Sequence, residues 1–147
     1  MKKIYIIFIS VFLCGLSSIA NAEYLGKLSS NRYGTNSTSN KYGSYGSRYS
    51  PKSINNPYGQ YGSKYSSTSA NNPYATNTPK LYDSQGNYKG KLSSNKFDPD
   101  STSNPYGRYG SKYSPDSINN PYGAGSRYNS ESPNNPYGSG LTISGGN

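Results

Sequence analysis

The sequence predicts a mostly irregular, turn-rich repeat protein with one small antiparallel β element, partial disorder, and little or no helix beyond its N-terminal segment. Three observations lead there. A unit of 16 residues recurs six times, in two triplets related by an offset of 64 that slips to 63 after Gly123. Every unit is dense in Gly, Pro, Ser and Asn, which almost excludes helix. Segments with strand character lie only outside the triplets.

The elements follow in chain order. Residues 1–22 read as a signal peptide. Lys2 and Lys3 precede an apolar run over Ile4–Ile19, and Ala20-Asn21-Ala22 offers small residues for cleavage after Ala22. The apolar run is shorter than the roughly 20 residues that span a bilayer. This predicts export to the periplasm or beyond, with no transmembrane helix after cleavage. The Lys-Lys start has a bacterial look. Residues 23–79 hold a first lead-in, Gly26-Lys27-Leu28-Ser29-Ser30-Asn31, and units opening at Arg32, Arg48 and Lys64. Residues 80–95 hold a β-hairpin near 81–92, turning at Ser84-Gln85-Gly86-Asn87, and a linker. Its second arm is matched by Glu23–Leu28. Residues 96–140 hold the second triplet, with units opening at Lys96, Lys112 and Arg127 after the lead-in Gly90-Lys91-Leu92-Ser93-Ser94-Asn95. Residues 141–147 hold a strand near 141–143 and a tail.

Each unit is built from turn chemistry. The residue before a proline is driven out of the helical region. Proline then sets its own φ inside a turn, and a nearby glycine can accept a positive φ. Asn55-Asn56-Pro57-Tyr58-Gly59 and Asn119-Asn120-Pro121-Tyr122-Gly123 are such turns. They sit inside "YSPKSINNPYG" and "YSPDSINNPYG", which differ only at Lys52 and Asp116. The seventh position of the units reads Thr38, Ile54, Ala70, then Thr102, Ile118, Pro133, so only the middle unit of each triplet carries Ile.

Composition limits the core. Past Ala22 the large aliphatics and Phe are few, below ordinary globular composition, while tyrosine is abundant, with 18 in the whole chain. The shortfall predicts either a mobile chain or one held by backbone hydrogen bonds and partners. A small sheet with repeat tyrosines packed on it is the expected ordered form.

The hairpin Tyr82-Asp83-Ser84-Gln85-Gly86, followed by Asn-Pro-Tyr-Gly repeats, resembles a group of small exported bacterial proteins. The resemblance is closest over Leu81–Gly138 and implies export and architecture, with no activity attached. The first triplet departs from the pattern at Thr35, Asn36 and Lys41.

No catalytic constellation is visible, so no enzyme, cofactor or metal centre is expected. The chain has no His, and its one cysteine, Cys14, leaves with the signal. Asp98-Pro99-Asp100-Ser101-Thr102-Ser103-Asn104 spaces oxygens like a calcium loop but lacks the central Gly and the closing Glu. Without Lys2 and Lys3, the 15 basic residues fall to 13 against 6 acids, a net charge of about +7. The charge-bearing constellation is the basic–aromatic pair that opens each unit: Arg32-Tyr33, Arg48-Tyr49, Lys64-Tyr65, Lys96-Phe97, Lys112-Tyr113 and Arg127-Tyr128. One reading has the ring packed and the cation solvated. The other has cations meeting phosphates or acidic sugars while rings stack, a surface for nucleic acid or a cell-surface polysaccharide. Gly, Ser, Asn and Tyr in six like units also predict multivalent self-association and a structural or adhesive role.

Overall fold

The structure, a computed structural model, describes residues 22–145. The predicted signal peptide, up to Asn21, and the last two residues of the tail lie outside the described residues. Four strands form one open antiparallel sheet: β1 (Tyr24–Leu28), β2 (Lys80–Tyr82), β3 (Tyr88–Lys91) and β4 (Leu141–Ser144). Their order across the sheet is β1-β4-β2-β3. The predicted hairpin is β2–β3, its lead-in match is β1, and the C-terminal strand is β4. There is no helix among the described residues.

The register reveals a pseudo-two-fold axis. At the centre Leu81 faces Ile143, and both are fully buried. Lys80↔Ser144 and Tyr82↔Thr142 flank that pair evenly. Outside them, Lys27↔Thr142 mirrors Lys91↔Lys80, and Tyr24↔Ser144 mirrors Tyr88↔Tyr82. Each half therefore supplies an outer lead-in strand and an inner closing strand. Each lead-in strand pairs with the closing strand of the other half, so the sheet locks the halves together.

The two triplets are chains of turns. In the second unit the N–H of Ser53, Asn56, Gly59 and Gly62 each returns to the carbonyl three residues earlier. The other units repeat this step of three. A side-chain oxygen at the turn-opening residue takes the N–H two residues on, as in Ser53 to Asn55 and Asn56 to Tyr58. These are the local bonds that Ser, Asn and Asp make most readily. The sixth residue of every unit is serine, and all six, from Ser37 to Ser132, are buried. The glycines that close the Asn-Pro-Tyr-Gly turns do not take the positive φ expected of them. Close approach explains them instead: a Cβ on Gly59 would sit 3.0 Å from the Asn56 amide, and one on Gly123 would sit 2.7 Å from Pro115 O.

Stacking of unit on unit uses one asparagine. Asn55 Nδ2 donates to Thr38 O at 2.8 Å and Gly46 O at 3.1 Å in the preceding unit. Asn71, Asn119 and Asn134 make the same pair of bonds to the units before them. The first unit of each triplet has no unit before it in sequence. There the same position is Ser39 or Ser103, and its hydroxyl donates to Ser29 O or Ser93 O of the lead-in. That first unit also lies along the outer strand, through Lys27↔Ser37 and Lys91↔Ser101 bridges, and so covers both sheet edges.

The apolar core is small: Leu25, Tyr61, Leu81, Leu141 and Ile143, with Leu28, Ile54, Leu92 and Ile118 against it. The middle-unit isoleucines thus belong to the core. The expectation that repeat tyrosines pack on the sheet holds for one position of the unit. Only the fourteenth residue of a unit does so: Tyr61 and Tyr109 are buried, and Tyr45 is half-buried. Tyr45 meets Tyr24 edge-on at 5.2 Å and Tyr109 meets Tyr88 at 5.6 Å. Room for these rings comes from Gly26 (φ +87°) and Gly90 (φ +98°). The deletion in the fifth unit removes this tyrosine. There Lys89, in the place of Leu25, lines a small cavity with Ile118 and Glu131.

Two outcomes test this. Gly86 has φ +81° but open space around a Cβ, whereas a Cβ on Gly90 would sit 2.7 Å from the Tyr109 ring. Gly86→Ala should cost about 1–2 kcal/mol, the backbone term alone. Gly90→Ala should cost about 2–4 kcal/mol, with the ring displaced. Equal melting losses would show that the ring does not need the glycine. Asn119→Ala strands two carbonyls and should cost about 1–3 kcal/mol in denaturant titration. Asn119→Asp, which cannot donate, should fare no better.

Candidate binding surface

The predicted site residues lie on the outside of the turn chains. Asn56 shows how. Its Nδ2 reaches back to Ser50 O at 3.0 Å, its Oδ1 takes the Tyr58 N–H, and its carbonyl takes the Gly59 N–H. Pro57 and Tyr58 are left at the corner of the turn, facing solvent. Arg48 and Tyr49 form the neighbouring corner, where Ser47 Oγ takes the Tyr49 N–H. The ring at the second position of a unit and the ring at the eleventh are therefore both displayed. All twelve such rings, eleven tyrosines and Phe97, are 87–97 % exposed.

The reading in which the opening aromatic packs is overturned. Tyr33, Tyr49, Tyr65, Phe97, Tyr113 and Tyr128 are each more than 90 % exposed. A turn corner has no neighbouring layer to bury a side chain against. The six cations beside them, Arg32, Arg48, Lys64, Lys96, Lys112 and Arg127, are exposed and enter no ion pair among the described residues. Nor do they sit over their own rings. The cation–π contacts are Lys41 with Tyr42 and Arg108 with Tyr109.

The structure adds residues the sequence reading missed. Open clefts join the opening pair to the eleventh-position ring of the same unit. Arg48 and Tyr49 face Asn56, Pro57 and Tyr58 across one. Arg32 and Tyr33 face Asn40, Lys41 and Tyr42 across another. A third lies between Arg32-Tyr33 and Pro136-Tyr137, so the sixth unit abuts the first. The signal was present: a Pro-Tyr dipeptide between a capping Asn and a Gly is a turn corner, and corners face water.

The paired aspartates are consumed within the chain. Asp98 bonds the Asp100 N–H and, at 3.0 Å, the Lys91 ammonium, while Asp100 accepts from the Tyr88 hydroxyl. Burial pushes the Asp98 carboxyl up, but the Asp100 N–H and Lys91 outweigh it and hold it below its usual range. No group of three or more candidate metal ligands occurs among the described residues. No helix among them is long and apolar enough to cross a membrane. Comparisons with family models, curated proteins and solved structures gave no match.

One buried tyrosine titrates with the fold. Tyr61 donates to Glu23 Oε2 at 2.6 Å, and burial first, then the bond and charge of Glu23, push its phenol up to about 12. The folded protein favours the neutral phenol. That contribution is complete below the ordinary value of 10.0 and is lost as pH rises towards about 12. Tyr61→Phe should lower stability by about 1 kcal/mol at neutral pH. Its melting temperature should also fall less steeply than that of the parent across that alkaline window. Parallel slopes would remove the coupling.

Proposed function

We propose that this protein is exported and serves a non-enzymatic structural or adhesive role in a cell envelope or extracellular matrix. It would act through many weak aromatic contacts made at once. The observation that carries this reading is the set of twelve rings standing 87–97 % exposed on a scaffold that does not use them. Exposed aromatic area of this extent marks an interaction surface in a soluble protein. Tyrosine supplies large contact area at small entropic cost. Six units repeat each weak contact, so avidity can far exceed the affinity of one cleft.

A second reading is binding of a polyanion, a cell-surface polysaccharide or a nucleic acid. It is favoured by the six opening cations, which have no carboxylate partner among the described residues and flank the rings. Ionic strength separates the two, because salt screens exposed charges and leaves ring contacts intact.

The test is concentration-dependent light scattering of the purified protein at low and moderate salt. Self-association that holds or strengthens with salt is expected. Replacing the six eleventh-position tyrosines by serine should abolish it while leaving the melting curve in place. A monomer at high concentration under all conditions overturns the adhesive reading. Binding to DNA with a log–log salt slope of about −5, roughly −0.9 for each phosphate met by a cation, would select the second reading. Affinity flat with salt would remove it.

A further inference from the structure

We infer that the exposed tyrosines are sites of oxidative phenol coupling, through which copies of this chain become covalently joined ring to ring. The inference goes beyond noncovalent adhesion and does not depend on it.

Four observations carry it. The first is a division of labour among the tyrosines. Tyr24, Tyr45, Tyr61, Tyr82, Tyr88 and Tyr109 are held by ring contacts or by carboxylates at the sheet. The eleven at unit corners are at least 87 % exposed, and none of their hydroxyls has a hydrogen-bond partner among the described residues. The second is a natural substitution. Phe97 occupies the same corner as Tyr33, with similar exposure, so the corner does not need the hydroxyl. The third is the absence of competitors. Past Cys14 the chain has no Cys, Met, Trp or His, which leaves phenols as its readily oxidised groups. The fourth is spacing. Close ring–ring contacts among the described residues join only tyrosines at the sheet, while corner rings line open clefts, so each corner ring is accessible to a ring of another copy. A coupling partner is then available on another copy as well as across a cleft of the same chain.

The step balances with a peroxide as oxidant, delivered by a haem peroxidase. Each of two phenols gives up its O–H hydrogen atom, one electron and one proton. Hydrogen peroxide takes up both and is reduced to two waters. The two phenoxyl radicals join through the ring carbons beside the oxygens. The hydrogens on those carbons then move to oxygen and restore both phenols. With more than two reactive corners per chain, the product is a network rather than a dimer. The flanking cations hold copies apart, so moderate salt should raise the yield.

The experiment treats the purified protein with hydrogen peroxide and a haem peroxidase, and maps cross-linked peptides by mass spectrometry. Expected are a ladder of covalent oligomers, blue dityrosine fluorescence, and cross-links confined to corner tyrosines. Tyr61, Tyr88 and Tyr109 should be spared in the folded protein and join the map in urea. A variant with all eleven corner tyrosines changed to phenylalanine should keep its melting temperature and lose the ladder. The inference is overturned by no coupling, by a map that is the same folded and unfolded, or by a ladder that survives in the variant. Scattering before oxidant is added reports noncovalent association separately. Association without coupling sinks this inference alone, and coupling without association sinks only the adhesive reading.

Discussion

A short-range hydrogen bond within the chain underlies everything else: a Ser, Asn or Asp side-chain oxygen takes the backbone N–H two residues ahead. It recurs with a step of three, for example at Ser50, Ser53 and Asn56, and again at Ser114, Ser117 and Asn120. A chain with so few aliphatics cannot hide its backbone behind a large core. Its polar groups must be satisfied locally, because an unmet buried donor costs as much as a lost bond. Serine at the inward corner is small enough to be buried without crowding and still caps the next turn. The scaffold is therefore built from Ser, Asn and Gly, and large aliphatic residues enter only where the turn chains meet the sheet.

From that bond the architecture grows in two steps. Turns alone make a strip, and strips must be held side by side. The eighth-position asparagine does this by bridging two carbonyls of the unit before it, while serine in the first unit of each triplet bonds the lead-in strand instead. One position thus encodes whether a unit starts a stack or continues it. The sheet then clamps the stacks. Because each outer strand pairs with the closing strand of the other half, neither half completes the sheet without its partner. Ile54 and Ile118 are aliphatic because the middle unit of each triplet lies against the small apolar core.

The long period, the strands and the position of the Asn-Pro-Tyr-Gly turn were all legible in the sequence. Alternation, glycine and proline are strong local signals, and β1 through β4 fell where they pointed. The inner step of three was also printed in the Ser and Asn positions. It was hidden because turn statistics are usually read one turn at a time, and no single Ser reveals that its neighbour three residues on has the same role. The fate of the tyrosines was harder to read. Tyr49, Tyr58 and Tyr61 are chemically alike, and only the corner positions of the first two separate them from the third, which enters the core. The opening pairs were legible as a motif, but their partner across the cleft, the eleventh-position ring, required the fold.

The stretch "YSPKSINNPYG" now divides into two kinds of residue. Ser53, Ile54, Asn55 and Asn56 are held by burial, by the core, by the stack and by the cap. Residue 52 is free to differ from its counterpart: Lys52 faces Glu23 at 3.9 Å, whereas Asp116 meets Arg108 at 2.7 Å. Tyr49 and Tyr58 fit neither description. They are almost fully exposed, no packing demands them, and Lys41 shows that even the proline beside the second ring can be replaced. Yet across six units whose fourth and fifth residues vary freely, the second residue is always aromatic and the eleventh is always tyrosine. Stereochemistry accounts for the constancy of the inward residues. The constancy of the outward rings lies outside the requirements of folding, and it is on this constancy that the proposed contact surface rests.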